Sequence, residues 1–171
     1  SSFMFDMMNT GTKNYSEQKL QEYKNIHGIG LNFSVHNDYF KFDGDSLKSD
    51  RKYLISLLAE VLQNPKFDRK YYRRKIMERF KSLSQDGTQE IPLRNMYFYK
   101  NIYANHPYSF SHDLDLQTNA TSNITVKKLN EYYKKTVAPN SIVLGVYGDF
   151  DPDKMKKLIR EKFASWEKRE I

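Results

Sequence analysis

Cysteine is absent from the sequence. Disulfides, thiolate nucleophiles and cysteine-type zinc sites are therefore excluded together. No apolar run approaches the roughly 18 residues that a membrane-spanning helix needs. No charged stretch followed by an apolar one reads as a secretory leader. The serine elbow G-x-S-x-G does not occur. Histidine is scarce: His27, His36, His106 and His112 are the whole supply. No two of them stand at i, i+4, and none has a glutamate placed beside it as a general base. His106 and His112 flank a segment with Asp113 and Asp115 nearby, and these four read as polar loop residues. Asp43, Asp45 and Asp50 fail as a calcium loop, because Leu47 takes the fifth position and the glycine is misplaced. Gly28-Ile29-Gly30 lacks the third glycine of a dinucleotide loop and follows no strand, so it reads as a helix stop.

What is present suits one domain spanning residues 1–171. Hydrophobic residues make up 39% and aromatics 15%, enough for a core. The net charge of +7 permits an anionic partner without requiring one. Apolar spacing predicts the elements. Residues 16–27 form a helix capped by Ser16, with Leu20, Tyr23 and His27 or Ile26 inward and Gly28 and Gly30 stopping it. Leu31, Phe33 and Val35 alternate with polar residues, and Phe40 and Phe42 do the same after an Asn37-Asp38 turn, which predicts a hairpin. Asp50 is placed to cap a helix whose Leu54, Leu57, Leu58, Val61 and Leu62 share one face, and Pro65 ends it. Asp68 caps the next helix, with a Tyr72–Ile76–Phe80–Leu83 stripe closed by Gly87. An aromatic-rich helix covers 91–103. Residues 109–123 read as the longest loop. Thr125 caps a helix with Val126, Leu129, Tyr133 and Val137 inward. Residues 141–149, SIVLGVYGD, read as the best strand. Asp151-Pro152 opens a last helix with Met155, Leu158, Ile159, Phe163 and Trp166 inward.

The pattern is α+β: a small, mostly antiparallel sheet with helices packed on one face. Three strands are few for that many amphipathic helices. The expectation is an incomplete sheet, whose other strands would precede Ser1.

One helix is strongly basic. Residues 69–81 carry Arg69, Lys70, Arg73, Arg74, Lys75, Arg79 and Lys81. At 100° per residue these charges surround everything but the apolar stripe, and only Lys70, Arg74 and Lys81 cluster. A solvated face explains them better than a phosphate-binding one. From residue chemistry alone no catalytic site is legible.

Four stretches together resemble the insulinase/pitrilysin-type zinc metallopeptidases, the inverzincins. They are GTKNYS at 11–16 with GIGLNFSVHNDYF at 28–40, LISLLAEVLQNPKFD at 54–68, NHPYS at 105–109, and ITVKKLNEYYKKTVAPNSIVLGVYGDFDP at 124–152. In active members of that family H-x-x-E-H precedes the GTK-type segment. Its two histidines and a distant glutamate hold zinc, and its own glutamate activates water. Aligned on Gly11-Thr12-Lys13, the histidine positions fall on Ser2 and Asp6 and the base position on Phe5. The distant glutamate falls at or near Lys81, with Glu78 one turn away. The resemblance therefore implies the degenerate, non-catalytic half of such a peptidase. No catalytic or metal-ligating residue and no cofactor are expected in this chain, and zinc is expected only in a catalytic half elsewhere. The implied partners are that half, in the same polypeptide or as a homologous subunit, and an extended peptide. The alternatives are a structural scaffold of the same fold and, more remotely, an anion- or nucleic-acid-binding domain using the 69–81 helix.

Overall fold

The computed structural model describes residues 2–170. The chain begins in a short helix, α1 (Ser2–Met8), that buries Phe3, Met4, Phe5, Met7 and Met8. The loop after it is clamped to the middle of the chain. The Gly11 carbonyl accepts from the Lys66 amide at 3.1 Å, and the Lys13 amide donates to Asn64 at 2.9 Å. Gly11 has φ +149°, and a Cβ there would come within 3.2 Å of the Tyr15 carbonyl, so the turn requires glycine.

Ser16 then caps α2 (Glu17–Ile26), its hydroxyl accepting from the Lys19 amide. Gly28, in the left-handed region at φ +54°, releases the chain from the helix. The hairpin follows as expected: β1 (Gly30–Val35) pairs antiparallel with β2 (Phe40–Asp45), Phe33 opposite Phe42 and Leu31 opposite Gly44. Its apolar face, Leu31, Phe33, Phe40 and Phe42, turns toward α1 and toward α3 (Arg51–Gln63). Asn32, Ser34, Lys41 and Asp43 face solvent. Asp50 stands before α3 without bonding its amides. Its carboxylate is bonded instead to His27 Nδ1, at 3.0 Å, and to the Ser49 hydroxyl.

Beyond Asp68, whose carboxylate caps it, runs α4 (Arg69–Asp86). α5 (Glu90–Ile102) buries none of its residues. The segment 109–123, expected to be a loop, contains the second half of α6 (Pro107–Phe110) and all of α7 (Leu114–Ser122). His106 and Asp113 cap them, and α7 packs along α4 with Thr121 buried. The sequence of α7 is rich in Ser, Thr and Asn, so tertiary packing and a cap, rather than propensity, make it a helix. α8 (Val126–Thr136) buries Leu129 and Tyr133. α9 (Pro152–Phe163) directs Met155, Leu158, Ile159 and Phe163 inward, followed by Trp166.

The expected strand at 141–149 is not one. Only β1 and β2 form a sheet among the described residues, and 142–147 carry no regular structure. A strand is defined by its ladder, and no described neighbour supplies one. The molecule is still α+β, with helices on one face of a hairpin. One core cluster gathers α1, Leu20, Leu31, α3, Phe67, Leu129, Tyr133, Val137 and Trp166.

Tyr133 shows how the core closes. Its hydroxyl donates to the Leu62 carbonyl at 2.6 Å, one of the acceptors that the last turn of α3 leaves open. Tyr133→Phe leaves that buried carbonyl without its donor, and equilibrium denaturation is expected to show a loss of about 1–2 kcal/mol. A variant as stable as the parent would mean that the bond contributes nothing.

Candidate functional site

In α1 the positions of the resembled motif lie on a packed helix. Phe5 is 2% exposed and sits inside a cage of phenylalanines. Its ring lies 4.6 Å from Phe40, 5.4 Å from Phe42 and 6.2 Å from Phe33, centroid to centroid. A side chain held this way offers neither a lone pair nor a proton. Ser2 begins the helix, one residue before Phe3, whose ring meets Tyr72 edge-on at 6.1 Å.

Asp6 points away from this core and is exposed by area. Enough protein still surrounds its carboxyl for desolvation to hold it above the ordinary carboxylate range, outweighing the opposite pull of Lys75 and Arg79. Glu78 adds a like charge. The side-chain charges acting on Asp6 thus come from α4, the helix that also carries Lys81. This surface joins two carboxylates, Asp6 and Glu78, to two cations, with no imidazole or thiolate. The donor set does not fit zinc, which wants nitrogen, sulfur or carboxylate ligands in a tetrahedral set. Among the described residues no group of three or more His, Asp or Glu is placed to hold a metal ion.

The other candidates are spent on structure. His27 stacks on Tyr53 at 3.7 Å and shares Asp50 with Ser49. The carboxylate stands between imidazole and hydroxyl, so His27 does not reach the Ser49 oxygen, and the bonds from Ser49 and His27 hold the Asp50 carboxyl below the ordinary carboxylate range, too weak a base to activate a hydroxyl. His36 stacks on Tyr39 at the hairpin turn. The His106 ring nitrogen accepts from the Tyr108 amide at 3.3 Å. His112 stacks on Tyr99 at 3.9 Å, and burial lowers its pKa. Asp113 caps α7. Of the basic cluster, Arg74 is held by Glu17 at 2.5 Å and by Glu78 at 3.5 Å, which cancels positive potential where a phosphate would arrive. A cavity of about 200 Å³ lies between Asn14, Tyr15, Tyr23, Ser56, Leu57 and Glu60. Glu60 accepts from Asn14 and Asn64 through one oxygen, while the other is buried without a partner. A single carboxylate among tyrosines and amides assembles no hydrolytic machinery.

Sequence reasoning did not see the cage around Phe5 or the Lys75–Glu78–Arg79 surroundings of Asp6. Both are made by contacts between distant segments. The one local signal was the Phe33, Phe40 and Phe42 alternation, which marked an aromatic face without naming its occupant.

Comparison with known proteins places this geometry. Residues 1–111 match the family described as Insulinase (Peptidase family M16). Residues 123–171 match the one described as Peptidase M16 inactive domain. Similar solved structures include a peptidase M16 inactive domain from Pseudomonas fluorescens, with a TM-score of 0.85 and 20% identity over 95% of this chain and 39% of that one. A protease from Helicobacter pylori gives a TM-score of 0.86 and 17% identity, covering 99% of this chain and 41% of that one. Pitrilysin gives 0.75 and 21%, covering 95% of this chain and 18% of its own. Such identities establish a shared fold, and the chain spans about two fifths or less of each of these proteins. No curated protein matches by sequence. The family match extends over residues 1–111 of the 171, and the fold agrees with it: the chain belongs to the insulinase family, peptidase family M16.

Proposed function

We propose that this chain is a non-catalytic domain of a larger M16-type peptidase. In this reading it encloses part of the chamber and grips extended peptide. Hydrolysis takes place at an H-x-x-E-H half carried by the same polypeptide or by a homologous subunit, and zinc belongs to that half alone. The observation that carries the reading is Phe5. The position where an active relative places its general base holds a buried phenylalanine caged by three others. Ser2, Asp6 and Lys81 at the ligand positions support it. Peptide binding is supported by the hairpin, since β1 and β2 each pair on one side only among the described residues. An added strand gains backbone hydrogen bonds there without requiring a particular sequence. The second reading, a structural scaffold of the same fold, shares the missing donor set and differs in binding no peptide.

Three measurements test this reading. The dialysed chain is expected to retain no stoichiometric zinc and to cleave no peptide, while labelled extended peptides raise fluorescence anisotropy on binding. Stoichiometric zinc with turnover overturns the proposal, and zinc-free protein that binds no peptide favours the scaffold. Phe5→Glu removes a caged ring and buries a carboxyl in its place. It is expected to cost about 4 kcal/mol or more in denaturant unfolding, and a variant of parental stability would remove the cage from the argument. Asp6 supplies a pH dependence. Its folded pKa is raised, so the native state keeps a proton that the unfolded chain has already released. Stability from this group is therefore present at low pH and is lost as pH rises from the unfolded carboxylate value through the folded one. Asp6→Asn is expected to melt higher than the parent near neutral pH, with the advantage vanishing in acid. A variant that melts lower at neutral pH would show Asp6 to be stabilising as an anion.

A further inference from the structure

We infer that the cavity between α2 and α3 is a binding site for a primary ammonium group carried on an unbranched alkyl stem. Asn14, Tyr15, Tyr23, Ser56, Leu57 and Glu60 enclose a space of about 200 Å³. Asn14 is exposed, and Tyr15, Tyr23, Ser56 and Glu60 are half-buried, so a ligand reaches the space from solvent.

The polar walls present acceptors. Glu60 takes the Asn14 and Asn64 amides on one oxygen, at 3.0 and 2.9 Å, and its other oxygen is buried with no partner. Among the described residues no lysine or arginine pairs with this carboxylate. A half-buried anion without a cation leaves negative potential in the space beside it. The Ser56 hydroxyl donates to the Lys52 carbonyl at 2.8 Å, which leaves its oxygen only to accept. The Asn14 side-chain nitrogen is turned to Glu60, and no described donor reaches its carbonyl oxygen. The complement of such walls carries several donors, a positive charge and no acceptor, which describes an ammonium. The last torsion of a glutamate is soft, so a small turn brings the unpartnered oxygen to that donor.

The remaining walls select an organic cation over a metal ion. Tyr15 and Tyr23 meet edge to face, their ring centroids 5.7 Å apart. Such rings attract a cation over their faces, and Leu57 beside them suits methylenes. A hard metal ion wants several oxygen ligands, and a single carboxylate lines this space. Lys52, one turn before Ser56, holds its own ammonium over the Tyr53 ring at 4.7 Å, and Tyr53 packs on Tyr23. Lys52 does not line the cavity, so the site is not filled from within. The ammonium can belong to a lysine of a peptide or to a free amine, and the site stands whether or not the chain grips peptide.

Calorimetric titration with n-butylammonium chloride is expected to give a single site with a dissociation constant on the order of a millimolar. Nuclear magnetic resonance is expected to show shifts in the Asn14 side-chain amide and the Tyr15 and Tyr23 rings. n-Butanol has nearly the same shape without the charge, and it binds the parent chain about tenfold more weakly or worse. Glu60→Gln keeps an acceptor for both asparagine amides and removes the charge, and it lowers butylammonium affinity about tenfold or more. Tyr15→Leu lowers it about threefold. Circular dichroism and melting confirm that both variants fold, and the comparison with butanol needs no variant. A lysine-containing peptide that displaces butylammonium, and fails to once its lysine is acetylated, identifies a peptide as the source. Butylammonium binding that no such peptide displaces identifies a free amine. Absence of butylammonium binding overturns the proposal. So does butanol binding as tightly, and so does a folded Glu60→Gln variant with parental affinity.

Discussion

Five of the seven side chains of α1 are removed from water, and a helix that short does not persist on its own hydrogen bonds. The rest of the core is arranged to receive it. The hairpin supplies three phenylalanines around Phe5, α4 supplies Tyr72 against Phe3, and the loop at Gly11 ties the end of α1 to the chain beyond α3. These contacts also leave the helix outside any group of metal donors among the described residues. A catalytic helix of this kind must aim polar atoms at one point, whereas this one aims rings and thioethers at a sheet. Asp6 is the polar exception, and it answers the cations of α4.

Much of the fold is written in local periodicity. The leucine face of α3, the inward rows of α8 and α9 and the aromatic alternation of the hairpin are one-element patterns, and each is found as spacing alone predicts. The failures share a different cause. α7 lacks an apolar stripe and is held by packing on α4, which no window of its own sequence contains. Residues 141–149 have every strand propensity and no ladder, because a strand is a property of two segments. Asp50 stands where a cap belongs, but His27 and Ser49 take its carboxylate first.

The candidate site divides the same way. The proposed assignment of Ser2, Phe5 and Asp6 to the histidine and base positions comes from the spacing back from Gly11-Thr12-Lys13, and that of Lys81 to the distant glutamate from the helix after Phe67-Asp68. That Phe5 is caged, and that Lys75, Glu78 and Arg79 govern Asp6, depends on which helix face meets which neighbour. Histidines, which invite a functional reading in any sequence, here serve as caps and stacking partners.

The core cluster joins Phe3 and Met4 to Trp166, so the two ends of the chain close on one another. During synthesis α1 emerges before most of the residues that cover it. Until those are made its phenylalanines and methionines stay exposed, with only the hairpin and α3 available as early shelter. Contacts of such sequence separation slow the final closure. The nascent chain therefore exposes α1 until residues as distant as Trp166 are made, which makes the helix a natural handle for a chaperone.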